Sequence, residues 1–193
     1  MSTITLNLSF LTGNTHKFQE VKLFIESSGL DALITRKNVP LIEIQTDSIE
    51  EVAVHKVESV VDSIQGNYFV EDAGFFVDKL KDFPGVFSSY IQEMIGNEGV
   101  LRLMKDVTER DASFRSVIAL KLEDTIHTFH GRVDGIVADD IKGTQGFGYD
   151  PIFIPNGLNQ TFAEISMVKK NSMSHRIRAL QKMCNFLIEK EKA

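Results

Sequence analysis

The feature that most constrains the fold is a change of hydrophobic period near the start of the chain. Ile4, Leu6, Leu8 and Phe10 alternate with polar residues, the two-residue period of a strand, and Phe18, Val21, Phe24 and Ile25 then recur at helical spacing. Between them lies Leu11-Thr12-Gly13-Asn14-Thr15-His16-Lys17, so the opening reads strand, loop, helix. An α/β class follows.

The alternation of element types continues along the chain. Ser27-Ser28-Gly29 ends the first helix, and a second strand is predicted from Leu33 to Val39, before Pro40. Asp47 with Glu50 three residues later resembles a capping box; the helix it opens carries Ile49, Val52, Ala53, Val57, Val60, Val61 and Ile64 on one face and closes at Gly66. Tyr68-Phe69-Val70 predicts a short buried strand delivering Glu71-Asp72-Ala73-Gly74, ahead of another apolar run, Phe75-Phe76-Val77. From about Val86 to Asp106 the pattern is helical in two pieces broken near Gly96. Ser113 to Leu122 and Thr125 to Val137 are β-rich runs joined by Glu123-Asp124, which predicts an antiparallel hairpin and hence a mixed sheet. From Ser166 onward the pattern is helical, with Ile177, Leu180, Met183, Cys184, Leu187 and Ile188 as its apolar stripe. No repeat or linker interrupts this order, so residues 1–193 are read as one domain.

Bulk properties exclude several functions. A net charge of −6 argues against sequence-independent binding to nucleic acid, which depends on clustered Lys and Arg. No segment is apolar enough to span a bilayer, and the first residues lack the basic and apolar regions of a signal peptide. Cys184 has no partner for a disulfide within the chain, so a reducing compartment, the cytoplasm, is expected.

Five groups of residues are suited to chemistry. In Gly143-Thr144-Gln145-Gly146-Phe147-Gly148-Tyr149-Asp150-Pro151, glycines permit close approach, Phe147 or Tyr149 offers a face for stacking, and Asp150 offers acceptors to a hydrogen-bonding edge. Those are the requirements for holding a nucleobase, although a turn whose aromatics cap the core has the same composition. Thr12-Gly13-Asn14-Thr15-His16-Lys17 opens a helix, where backbone N–H groups and Lys17 attract phosphate; Thr and Asn are also ordinary helix caps. Glu43, Glu71 and Asp72 form an acidic group, with Asp72 placed where the chain leaves the sheet. One or two carboxylates with water and phosphates suffice for Mg²⁺, whereas adjacent acids are also commonly just solvated. Lys56 falls inside the apolar arc of its helix and needs either a counter-charge or a route to the rim. Finally, a helix starting after Ser166 puts Lys170 with Ser174, and Asn171 with His175, on one polar face that also brings Arg176 near, either as donors to a ligand or as a solvated basic face. Taken together these pieces describe one substrate, a nucleoside triphosphate bound with Mg²⁺.

The chain resembles the inosine triphosphate pyrophosphatases, house-cleaning enzymes for aberrant purine nucleotides. The resemblance rests on Thr12-Gly13-Asn14 with Lys17, Glu43-Ile44-Gln45, Lys56, Glu71-Asp72, Phe83-Pro84-Gly85, Gly143-Thr144, Phe147-Gly148-Tyr149-Asp150-Pro151, Phe162-Ala163-Glu164, Lys170-Asn171 and Ser174-His175-Arg176. It implies an elongated mixed β-sheet with flanking helices, two lobes enclosing an active-site cleft, and a homodimer. It further implies Mg²⁺, with Mn²⁺ as a substitute, at Asp72 and Glu43, with Asp72 as the catalytic carboxylate. Thr12, Gly13, Asn14, Thr15, His16, Lys17, Lys56 and Lys170 would hold phosphates, and Ala73, Phe147, Gly148, Tyr149, Asp150, His175 and Arg176 the base and its surroundings. Ala73 departs from the Ser or Thr common after the catalytic acid, and Ser89 stands where some members carry Lys. The related septum-inhibition-type pyrophosphatases share the chemistry but act on modified pyrimidine nucleotides, and a non-hydrolytic nucleotide sensor is the alternative outside catalysis.

Overall fold

The computed structural model describes residues 5–191, so Ile4 of the opening alternation lies outside the described residues. In chain order the elements are β1 (Leu6–Leu11), α1 (Thr15–Ser27), β2 (Ala32–Lys37), α2 (Ile49–Glu58), β3 (Asn67–Val77), β4 (Pro84–Gly85), α3 (Ser88–Met94), α4 (Gly96–Leu103), β5 (Asp111–Leu122), β6 (Thr125–Val137), β7 (Phe153–Pro155), α5 (Met167–Asn171) and α6 (His175–Glu191). The strands make a seven-stranded sheet in the order β2-β1-β3-β5-β6-β7, with β4 paired to β3. β1 runs parallel to both β2 and β3, whereas β4 is antiparallel to β3 and β7 to β6. The mixed α/β class read from the periodicities is the one observed. A parallel β1–β2 pair cannot close through a tight turn, and α1 is its crossover.

The chain forms two compact units. The first comprises the chain through Asp72, Ser116–Gly131 and the segment from Arg176; the second comprises Ala73–Arg115 and Arg132–His175. In the first, Leu8, Phe10, Val21, Ile25, Phe69, Ile118, Leu180, Met183 and Cys184 are buried together, with the Phe10 and Phe69 rings stacked at 4.6 Å. In the second, Phe75, Val77, Val100, Met104, Phe114, Val137, Tyr149, Phe153 and Phe162 make the core.

Five local expectations are corrected. The second strand occupies Ala32–Lys37, ending before Val39. The cap of α2 is Ser48, one residue later than Asp47: its Oγ accepts from Glu51 N at 3.2 Å. That helix stops at Glu58, and the chain continues through turns to Ile64, whose N–H donates to Val60 O at 3.0 Å. Asp72 does not sit where the chain leaves the sheet, because β3 runs unbroken through Glu71-Asp72-Ala73-Gly74. Its eleven residues are sustained beyond Gly74 by pairing with β4, where a Cβ on Gly74 would come within 2.4 Å of Gly85 O; only glycine allows that approach. The last helical stretch is two helices broken at Ser172-Met173-Ser174, so Asn171 and His175 do not share one helix face. Ser172 Oγ donates to Lys169 O at 2.7 Å, the local side-chain bond by which serine competes with a continuing helix. The two-piece helix broken near Gly96 and the β5–β6 hairpin are found as predicted.

Candidate active site

In the first unit, the loop after β1 prepares the start of α1. Thr12 Oγ1 accepts from Asn14 N at 3.1 Å, and Asn14 Oδ1 accepts from His16 N at 2.9 Å and Lys17 N at 3.1 Å. Asn14 is thus the N-cap of α1, the structural role that its residue type suits. Gly13 keeps the loop narrow, since a Cβ there would lie 3.1 Å from Asn38 Oδ1. Thr15 and His16 occupy the exposed first turn. Lys17 extends toward β3, with Nζ 2.8 Å from Glu71 Oε2 and donating to Glu71 O at 3.3 Å.

Beside Glu71 on β3 stands Asp72, and Lys56 of α2 reaches it. Lys56 Nζ is 2.6 Å from Asp72 Oδ2 and 2.7 Å from Glu43 Oε1, in the segment between β2 and α2. The lysine that helical spacing placed on the apolar face is buried and has its counter-charges. Burial by itself would lower the pKa of this ammonium, but Asp72 and Glu43 outweigh it and hold the value above the ordinary lysine range. The two carboxylates therefore flank one fixed positive charge.

A second ion network lies behind the first. Arg176, entirely buried on α6, pairs through Nη1 with Glu20 Oε2 of α1 and through Nε with Glu71 Oε1 at 3.2 Å. Desolvation opposes the charge here too, and the two acids more than restore it, raising the guanidinium pKa. Glu71 thereby links Arg176 to Lys17, joining α6, α1 and β3 by buried ion pairs.

Whether a divalent cation suits this unit is a question of donor chemistry. Glu43 and Asp72 supply hard carboxylate oxygens on either side of one ammonium, and the Glu43 side chain is 71% exposed, free to reorient toward an ion. Among the described residues no group of three or more His, Cys, Asp or Glu is assembled for a metal. The set fits Mg²⁺, which keeps several waters and takes one or two carboxylates together with substrate phosphates.

The second unit carries the glycine-aromatic loop. Asp150 Oδ2 accepts from Phe147 N at 2.8 Å and from Lys170 Nζ at 2.7 Å, and the Lys170 ammonium lies 4.9 Å from the centre of the Phe147 ring. Both Asp150 and Lys170 are buried. Lys170, which the resemblance assigns to phosphates, thus stands with Phe147 and Asp150, the residues it assigns to the base. Gly146 is required by this arrangement: at φ +75°, a Cβ would fall 2.1 Å from Asp150 Oδ2. Gly148 has φ +62° as well.

Tyr149 belongs to the core. Its ring stacks on Phe75 at 4.9 Å, its hydroxyl donates to Ser88 O at 2.9 Å, and burial raises its pKa well above the ordinary phenol value. The His175 ring lies parallel to Phe114 at 4.8 Å. His175 and Arg176, neighbours in sequence, fall in different units, while Ala73 begins the second unit directly after Asp72.

Reasoning from sequence missed Glu20, whose only signal is an acid on the same helical face as Lys17, Val21 and Phe24. It also missed Ser88, whose hydroxyl accepts from Phe75 N at 2.7 Å and donates to Gly85 O at 2.6 Å, and it missed Phe114. These side chains act at contacts that no local pattern announces.

Comparisons with known proteins add to this geometry. A model of the Ham1 family matches residues 8–186. The protein named dITP/XTP pyrophosphatase of Thermococcus kodakarensis is 42% identical over 184 residues, 95% of this chain and 98% of that one. The protein of the same name from Pyrococcus horikoshii is 37% identical, covering 94% and 97%. Among solved structures, a HAM1 protein from Coxiella burnetii superposes with a TM-score of 0.84 at 29% identity, over 95% of this chain and 99% of that one. The Ham1 protein of Staphylococcus aureus does so at 0.83 and 27%, with the same coverage.

Proposed function

The chain belongs to the Ham1 family, and from that premise we propose that it is a nucleoside-triphosphate pyrophosphatase cleansing the nucleotide pool of dITP, ITP and XTP before they enter DNA or RNA. The observation that carries the chemistry is Lys56 held between Asp72 and Glu43. A buried cation that fixes one carboxylate and pairs with a second, exposed one is a means of aiming the first while leaving the other able to turn to an ion, at a site where phosphate charge has to be neutralised.

Asp72 and Glu43 would hold Mg²⁺, with Mn²⁺ able to substitute, and the bound ion would supply charge neutralisation on the phosphate oxygens. Asp72 orients a water whose oxygen bonds to the α-phosphorus as the bond from that phosphorus to the α–β bridging oxygen breaks. Pyrophosphate leaves, the nucleoside monophosphate remains, and the water's proton passes to the carboxylate or to solvent. Lys17, Lys56 and the backbone N–H groups opening α1 hold the phosphates.

Phe147 stacks on the base, and Asp150 receives its N1–H. Lys170, tied to Asp150 and lying over the Phe147 ring, is assigned to the base rather than to the phosphates. Hypoxanthine and xanthine carry that N1–H and a 6-oxo acceptor for donors such as His175. Adenine presents a lone pair at N1 and an amino group at C6, leaving each buried group unpaired at about 1–3 kcal/mol. ATP is therefore a poor substrate.

The protein works in the cytoplasm as a homodimer. Among the described residues no helix is long and apolar enough to cross a membrane. Phe87, Tyr90 and Met94 leave an exposed apolar stripe along α3 that supports pairing, and light scattering on the eluted protein measures the mass.

The deciding assay incubates the protein with dITP, ITP, XTP, GTP and ATP, with and without Mg²⁺, and identifies products. Monophosphate plus pyrophosphate from dITP, ITP and XTP, dependent on Mg²⁺, is the expected result. Diphosphate plus orthophosphate, or equal turnover of ATP, overturns it.

A further inference from the structure

The loop bearing Phe147 is gripped from a side that takes no part in the reading above. Gly148 O accepts from Asn97 Nδ2 at 3.1 Å and from Gln92 Nε2 at 3.3 Å. Gln92 comes from α3 and Asn97 from α4, and the chain turns between them at Ile95-Gly96, with Gly96 at φ +62°. That turn is what brings two carboxamides onto one carbonyl. Two donors use both lone pairs of the oxygen.

The amide orientations follow from the same contact. Gln92 Oε1 and Asn97 Oδ1 are buried and make no hydrogen bond among the described residues, so reversing either group would gain nothing and would set oxygen against the Gly148 carbonyl. Both residues act as donors here. On the other side of the same dipeptide, Phe147 N donates to Asp150 Oδ2 at 2.8 Å. Residues 147 and 148 are thus held at the N–H of the first and the C=O of the second. Next along, the Tyr149 hydroxyl donates to Ser88 O at the start of α3. A glycine at φ +62° between two aromatics has a wide choice of backbone conformation, and the clamp removes it.

We infer that Gln92 and Asn97 are positioning residues that set the Phe147 ring for base stacking through Gly148, without touching the substrate. The inference rests on the proposed nucleotide reading and assigns a specificity role to side chains that no motif marks. Fixing the ring before the substrate arrives spares the cost of ordering the loop on binding, so losing the clamp weakens base-dependent affinity more than the chemical step.

The test uses Gln92→Glu and Asn97→Asp, alone and together, which keep shape while replacing each donor with an acceptor. Steady-state kinetics with dITP and XTP, thermal unfolding and amide hydrogen exchange of the 147–149 segment are measured on each. The expected result is a KM raised about tenfold in the double variant and about threefold in each single one, with kcat within about twofold. Exchange of the 147–149 amides rises in parallel. Unchanged KM and exchange overturn the inference, as does a fall in kcat with KM preserved. If the double variant does not fold, the single variants decide by the same criteria. A wild-type protein that fails to release pyrophosphate from dITP refutes the nucleotide reading instead, and the exchange measurement then decides the clamp alone.

Discussion

Lys56 Nζ stands 2.6 Å from Asp72 Oδ2 with its side chain only 10% exposed, and its second partner, Glu43, is 71% exposed at 2.7 Å. The buried bond fixes Asp72, while the exposed one can be exchanged for another charge at the same place.

Replacing Lys56 with Met removes the ammonium but keeps much of the stem. It should lower kcat/KM for dITP by about 10²–10³-fold, the usual cost of losing a preorganised stabiliser of developing charge. Circular dichroism should show the fold intact. Activity within a few-fold of wild type would exclude Lys56 from the reaction.

The Lys56 pairing was half legible in the chain itself. Ile49, Ala53 and Val60 mark an apolar arc that includes Lys56, which called for a counter-charge, and the structure supplies Asp72 and Glu43. The setting of Asp72 was not legible, because two acids followed by Ala-Gly have the composition of a loop. β3 nevertheless continues through them as an inner strand between β1 and β5, and Gly74 leaves room beyond them for the close approach of β4. The contact of Arg176 with Glu20 spans 156 residues and leaves no periodic trace. The break before His175 was hidden for the opposite reason: the helical pattern persists across Ser172-Met173-Ser174, although one helix ends at Asn171 and the next begins at His175.

Arg176→Met should destabilise the protein by about 3–5 kcal/mol, since it leaves Glu20 and Glu71 buried without their shared cation. Urea unfolding measures this directly. A loss below about 1 kcal/mol would mean that water or rearrangement compensates the acids.

The two aromatics of the loop should separate. Phe147→Ala removes a stacking surface worth about 1–3 kcal/mol per base and should raise KM for dITP and XTP accordingly. Tyr149→Phe removes only the bond to Ser88 O and should cost about 1–2 kcal/mol of stability with little change in the dITP-to-ATP ratio. If the tyrosine variant shifts selectivity and the phenylalanine variant does not, the assignment of the rings is reversed.

Gly146→Ala should fail in two ways at once. The new Cβ would meet Asp150 Oδ2 at 2.1 Å and would hold a φ of +75° that alanine disfavours, at a combined cost of about 2 kcal/mol. The carboxylate has to move, so KM for 6-oxopurines should rise together with the fall in Tm. A stable variant with wild-type KM would show that Asp150 does not depend on the space glycine leaves.

Cys184 offers a test of the first unit's core. It is fully buried, and burial raises its thiol pKa, with a bond to the Ser28 side chain acting weakly in the opposite sense. Because the folded value is raised, the protonated thiol's contribution to stability is complete below the unfolded pKa, near 8.5 for an ordinary cysteine, and is lost as pH climbs through the folded value. At pH 8 a disulfide reagent should therefore label native protein slowly, at a rate that rises with urea in proportion to the unfolded fraction. Rapid labelling without denaturant would show that α6 opens locally, and the buried Arg176 network at its start would then have to be less constraining than the geometry states.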